Sequence, residues 1–206
     1  MKMNQLNKHY GVDVSEHNGI VNWQEVRDAG IEFAIIRLGY GRGHLDSQFY
    51  HNVNGALNAG ISIGVYYYSY AQNCNDAIEE AAFATHILND CGLVPARLTM
   101  GLWYDAEEAP YWDTQQITNR CSAFINTAWQ AGYAYAGVYA NFDWWTHHID
   151  GTQLMCPKWC AQYNSSCDLP SAHMWQYTDS LRIGEKMFDG DEIGRASCRE
   201  RVSSPV

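Results

Sequence analysis

The sequence predicts an α/β fold: an irregular TIM-like barrel in which five β/α units are followed by three further strands. Three observations predict it. Short apolar, strand-like runs alternate with segments of helical period through the first 150 residues. Four of the helical segments are stopped by a glycine, at Gly30, Gly60, Gly92 and Gly132. Beyond that region the helical period disappears and three strand-like runs remain, at 158–163, 173–177 and 186–189. A doubly wound open sheet is the competing architecture, but no GxGxxG follows a strand, which weakens a nucleotide-binding version of it.

Taken in order, residues 10–14 form the first strand and 22–27 a helical stretch. Residues 33–38 read as a buried strand closed by Gly39-Tyr40-Gly41. Residues 48–58 put Phe49, Val53, Ala56 and Leu57 on one helical face. A strand at 62–68 leads to a long helix at 75–90 with an Asn or Asp N-cap. A strand at 102–105, a helix at 114–130, a strand at 136–140 and a short helix opening at 141–145 complete the five units.

The chain has 206 residues, 23 acidic against 13 Lys and Arg, and a formal charge of −10. Such a chain is poorly suited to nucleic acid or an anionic membrane surface, both of which need clustered cations. No run approaches the ~18 apolar residues of a transmembrane helix. A hydrophobic content of 47% excludes disorder as the overall state. The 14 Tyr and 8 Trp mostly serve a core, and a surplus of them also suits a sugar-stacking groove. Seven cysteines are expected as reduced, mostly buried thiols. Cys156, Cys160 and Cys167 lack the paired C-x2-C spacing of a zinc site, and no metal or cofactor is expected. The segment 192–206 has three Arg, three Ser and no apolar period. It reads as a solvated tail beyond a catalytic domain spanning 1–191.

In a β/α barrel the chemistry gathers at the C-terminal ends of the strands. Here those ends carry Asp13, then Asp105-Ala106-Glu107, then Asp189. Barrel closure makes Asp189 a neighbour of Asp13. Alternation puts Asp105 and Glu107 on one face and Glu108 on the other. Glycoside hydrolysis asks for such a set: one carboxyl held protonated to give its proton to the leaving oxygen, and another ionised beside the anomeric carbon. Ionised Asp13 and Asp189 would oppose deprotonation of Glu107 and stabilise positive charge on a sugar ring. An acid at a single strand end is ordinarily a helix cap, but acids at three ends exceed that reading.

Gly11-Val12-Asp13-Val14-Ser15, Asp105-Ala106-Glu107, Trp159-Cys160-Ala161-Gln162-Tyr163, Trp175-Gln176-Tyr177 and Phe188-Asp189-Gly190-Asp191, in that order, resemble glycoside hydrolase family 25. This is the Chalaropsis-type lysozyme family, common among phage endolysins and bacterial autolysins. The resemblance runs from about Tyr10 to Asp191. It implies an irregular barrel and N-acetylmuramidase activity on the β-1,4 bonds of peptidoglycan glycan strands, with retention. Carried over by position, Glu107 matches the general acid and Asp13, Asp105 and Asp189 the other groove carboxylates. A covalent glycosyl-enzyme and participation of the substrate's acetamido group both remain open for the second step.

Given the barrel, Tyr66, Tyr68 and Tyr70 share an inward face while Tyr67 packs outward. Tyr68 and Tyr70 are candidate sugar contacts, as are Tyr139, the run Trp175-Gln176-Tyr177 and Gln162 at later strand ends. Arg37 is a candidate partner of Asp13 or Asp105, and Asp46 a helix cap. The chain is expected to act as a monomer. It is expected in the cytoplasm before release to the cell wall, as for an endolysin, or outside the cell if a leader is missing. In that second case Cys74 and Cys91, flanking the third helix, are the natural disulfide pair. Two other readings are a catalytically silent sugar-binding module on the same barrel, and a chitinase-like enzyme. The acids disfavour the first, and the absence of a D-x-x-D-x-D-x-E run the second.

Overall fold

The computed structural model describes residues 8–109 and 113–194. In chain order its elements are β1 (Lys8–Val14), α1 (Trp23–Asp28), β2 (Phe33–Tyr40), β3 (His44–Leu45), α2 (Phe49–Asn58), β4 (Ser62–Tyr68), α3 (Cys74–Asp90), β5 (Leu102–Asp105), α4 (Thr114–Gln130), β6 (Ala136–Asn141), α5 (Phe142–His147), β7 (Lys158–Ala161), β8 (Met174–Ile183) and β9 (Lys186–Gly194). A 3-10 turn at Glu16–Asn18 follows β1. Helices α3, α4 and α5 start where a side chain satisfies the first free N–H groups: Asn73 caps α3, Asp113 caps α4 and Asn141 caps α5, whereas α2 opens at Gln48 without a side-chain cap.

Strands β1, β2, β4, β5, β6, β7 and β8 are parallel neighbours. Strand β9 closes the barrel between β8 and β1 and is antiparallel to both. The two-residue β3 folds back on the end of β2. The predicted five β/α units and three last strands are therefore present, with one difference in direction. Sequence patterning leaves 178–185 as a loop, whereas β8 runs on to Ile183 and turns through Gly184 (φ 58°) and Glu185 into β9. A two-residue turn joins antiparallel strands, since a parallel return needs a crossover of a dozen residues or so. Asp189 thus reaches the mouth early in a descending strand rather than at the end of an ascending one. Strand β9 also continues to Gly194, past the boundary read at position 191. Residues 195–206, with Cys198, lie outside the described residues.

Period-2 alternation builds two apolar layers. Along β5, Leu102 and Tyr104 face the helices, where Tyr104 packs on Phe124 of α4, while Trp103 fills the barrel interior with Phe33, Ile35 and Trp159. Gly137 on β6 exists because Trp103 lies against it: a Cβ there would sit 2.5 Å from the indole and 2.7 Å from the Pro157 carbonyl oxygen. Gly137→Ala is expected to destabilise the fold by about 1–3 kcal/mol, the usual cost of overpacking. Urea unfolding should show a lower midpoint at an unchanged slope, and an unchanged midpoint would mean that β6 yields freely.

The six cysteines of the described residues are free. The Cys74–Cys91 disulfide considered from sequence is ruled out by geometry. These residues bracket the 17-residue α3, which holds them roughly 25 Å apart at about 1.5 Å per residue, far beyond disulfide reach.

Candidate active site

The period that sends Trp103 inward sends Asp105 to the same side, at the mouth, and Glu107 follows two residues past the strand end. From the other edge of the closure, Asp13 on β1 lies directly opposite Asp189 on β9. All four carboxyls line one open cavity of about 620 Å³, together with Tyr66, Tyr68, Tyr70, Tyr139 and Arg37. Asp13 and Asp105 are 7% and 4% exposed, while Glu107 and Asp189 are half-buried.

Burial is the largest influence on each acid, and it favours the proton-bearing form. It pushes Asp105 well above the usual carboxylate range, and the charges of Glu107 and Asp13 add to this. Glu107 is raised by burial, opposed by the Asn141 Nδ2 donor at 3.3 Å, and raised again by Glu108 and Asp189. Asp13 is raised by burial and then by Asp189, against the Gln176 Nε2 donor at 2.8 Å. Asp189 is raised by burial and by Asp179. The two acids are linked: their mutual contact raises Asp13 and lowers Asp189, so Asp189 is the readier of the two to ionise. Burial thus biases the cluster towards proton-bearing forms, and the unequal environments push the acids apart, as in other sites where crowded acids divide their roles.

A family model described as Glycosyl hydrolases family 25 matches residues 12–186. The chain belongs to glycosyl hydrolase family 25. Lysozyme M1 of Streptomyces globisporus is 27% identical over 195 residues, covering 88% of this chain and 65% of that protein. The autolytic lysozyme of Clostridium acetobutylicum is 25% identical over 177 residues, covering 82% of this chain and 50% of that one. The solved structure of the modular autolysin LytC from Streptococcus pneumoniae, in complex with a synthetic peptidoglycan ligand, superposes with a TM-score of 0.82 at 26% identity. That match covers 90% of this chain and 46% of the autolysin. The chain spans about half of two of these proteins and under two thirds of the third.

In this family 25 barrel the remaining candidates divide. Tyr68, Tyr70, Tyr139 and Arg37 line the cavity. Tyr67 points outward as expected, its hydroxyl donating to the Gly41 carbonyl at 2.7 Å and its ring against Phe83 of α3. Trp175 and Gln162 are not among the lining residues. On β8 the inward positions are Met174 and Gln176, so Trp175 faces away and its indole donates to the Gln162 carbonyl at 2.8 Å. The Gln162 side chain is turned to the following loop, where Nε2 donates to Asp168 at 2.8 Å and Oε1 accepts from the Asp168 N–H. Arg37 pairs with neither Asp13 nor Asp105. Its Nε meets Asp46 at 2.7 Å and its Nη2 meets Glu16 at 2.8 Å. Asp46 is thereby a buried counter-ion as well as an acceptor for the Gln48 N–H ahead of α2. Among the described residues no group of three or more His, Cys, Asp or Glu is arranged to hold a metal ion.

Sequence reasoning missed Asn141 and Glu16 and did not single out Gln176 within its candidate run Trp175-Gln176-Tyr177. Gln176 donates to Asp13 and accepts from the hydroxyls of Tyr139 and Tyr163 at 3.1 and 3.0 Å, which fixes its amide orientation. Extending the alternation from Met174 would have singled it out over Trp175 and Tyr177. Asn141 caps α5 through Oδ1 and donates to Glu107 through Nδ2. Glu16 anchors Arg37 from the turn after β1.

Behind the tyrosines, Glu80 of α3 is buried. It accepts from Ser69 Oγ at 2.7 Å and the Tyr70 N–H at 2.9 Å, while Arg120 donates to the carbonyls of Ala71 and Glu108. These two side chains hold together the loops that carry Tyr70 and Glu107. Burial pushes the Glu80 carboxyl up to about 7. The folded state then binds its proton more tightly than the unfolded chain, so stability falls as pH rises from the ordinary carboxylate range to about 7. Thermal unfolding of Glu80→Gln should show a smaller loss than wild type between about pH 5 and pH 8. Parallel curves would mean that Glu80 is ionised throughout.

Proposed function

We propose that this chain is a retaining N-acetylmuramidase that hydrolyses the β-1,4 bond between N-acetylmuramic acid and N-acetylglucosamine in peptidoglycan glycan strands. The observation that carries this reading is the meeting of Asp13, Asp105, Glu107 and Asp189 around one cavity in a family 25 barrel. Glu107 is the proton donor to the leaving oxygen: it is half-buried, raised by burial, and open to the cavity. Asn141 orients it through a single hydrogen bond. The charge shared by Asp13 and Asp189 faces the ring on which positive charge develops, where a preformed, partly desolvated anion is most effective. Asp105 sits deeper and is itself pushed towards its proton-bearing form by burial and by the Glu107 charge, while the charges of Glu108 and Asp189 help to keep the proton on Glu107 until the leaving oxygen takes it. Tyr68, Tyr70 and Tyr139 offer ring faces and hydroxyls to the sugars.

The named lysozymes and the autolysin bound to a peptidoglycan ligand support the choice of glycan. The test is clearing of purified bacterial cell walls, with mass analysis of the released fragments. New reducing ends bearing muramic acid are the expected result, with the first-formed anomer retained by proton NMR. Glucosamine at the new reducing ends would overturn the bond assignment, and an intact wall would overturn the activity.

A further inference from the structure

Beneath the cavity lies a fifth carboxyl that none of these steps uses. Asp191 on β9 is fully buried. Its Oδ1 accepts from the Trp159 indole at 2.9 Å, and its Oδ2 has no N–H or O–H donor. A buried ionised carboxylate with an unfilled oxygen is costly, whereas a neutral acid has a proton to give.

The strand register says where that proton goes. Residues 189 and 191 project to the same face of β9. Strand β9 sets Asp189 opposite Asp13 and Asp191 opposite Gly11, which has no side chain. The side chain that Asp191 meets from β1 is therefore Asp13, and the two carboxyls are in hydrogen-bond contact. Two carboxyl oxygens in contact require a proton between them. Asp13 already accepts from Gln176, whose orientation Tyr139 and Tyr163 fix, and it reaches Asp189 on its solvent side.

We propose that Asp191 is a positioning residue: a neutral carboxylic acid that donates a hydrogen bond to Asp13 from below and so holds the negative charge of the Asp13–Asp189–Asp191 trio at the mouth. This rests on the muramidase reading only for its consequence in turnover, not for its protonation. The groups facing Asp191 are the acids Asp13 and Asp189 and the neutral Trp159 and Gln176; Tyr10, Tyr177 and Glu192 stand nearby, and Arg37 is committed to Asp46 and Glu16. Burial and the Asp13 charge both raise Asp191, and the shared contact lowers Asp13 in turn.

The experiment compares wild type, Asp191→Asn and Asp191→Leu. With carboxyl-labelled aspartate, several carbon NMR signals of neutral acids should persist in the wild-type protein well above the ordinary aspartate range, among them that of Asp105, and one of them should be missing from Asp191→Asn. The Asn amide still donates to Asp13, so this variant should keep the wild-type acid limb of the kcat/KM profile. Asp191→Leu removes the donor, so its acid limb should move to higher pH. Its kcat should fall at least about tenfold with KM little changed, the scale of one hydrogen bond to a charged group. An unchanged number of neutral-acid signals in Asp191→Asn, or equal pH shifts in both variants, would overturn the proposal. The NMR result stands without any activity and without Asp191→Leu, so an inactive protein or an unfolded variant leaves the test intact.

Discussion

Glu107→Gln is expected to lower cell-wall hydrolysis by about 10²–10⁴-fold, the usual worth of general acid–base help, with the fold unimpaired. Gln keeps the length and planarity of Glu and can still meet Asn141, but it has no proton to give. The same burial that suits Glu107 to its role raises its proton affinity in the folded state. Above the ordinary carboxylate range such a group lowers stability, since the unfolded chain releases the proton more readily. The neutral variant should therefore unfold at an equal or higher temperature at neutral pH while being nearly inactive. Activity and stability then move in opposite directions, as at a strained site. Wild-type kcat/KM should fall on the alkaline side as Glu107 loses its proton, and the residual rate of the variant should lack that limb. A near-normal rate would move the role to another acid, with Glu108 first in line: its carboxylate accepts from the Tyr68 hydroxyl at 3.2 Å beside the cavity.

Much of this arrangement was legible in the sequence because it follows from local period. Tyr66, Tyr68 and Tyr70 alternate with Tyr67, and the structure divides them as alternation requires. Asp105 and Glu107 share a face for the same reason. What was hidden depends on partners that no local pattern reveals. Thr178, Leu181 and Arg182 pair with β9 across an irregularity at Asp179 and Ser180, and Thr178, Asp179 and Ser180 carry no apolar signal because they are not buried there, near the turn. The direction of β9, and hence the depth at which Asp191 sits, follows from that turn. Arg37 was given the wrong partner because Asp46 reaches it only when β3 folds back on β2, a contact set by two residues. Trp175 and Gln162 were misplaced by reading a whole motif as facing inward, when alternation admits only every second residue.

The second large effect is expected from Asp13 and Asp189 taken together. They come from opposite ends of the chain, and closure of the barrel through β9 sets them opposite each other. Their contact raises Asp13 and lowers Asp189, so the expected state of the pair is one proton and one negative charge. In Asp189→Asn the new amide can donate to Asp13, which keeps the charge. In Asp13→Asn the amide can donate to Asp189, which keeps it in the other place. Each single variant should therefore lose only about tenfold in kcat, the scale of one displaced hydrogen bond, with KM little changed. The double variant has no carboxylate left to face the developing positive ring. It should lose well over the product of the two, on the order of 10³-fold or more, as expected when a preorganised charge is removed outright. Steady-state kinetics on soluble glycan fragments measure all three. If the two losses multiply, each carboxyl acts alone and the shared proton is wrong. If one single variant is as poor as the double, the charge resides on that residue by itself, and its partner across the β1–β9 seam serves only to hold it in place.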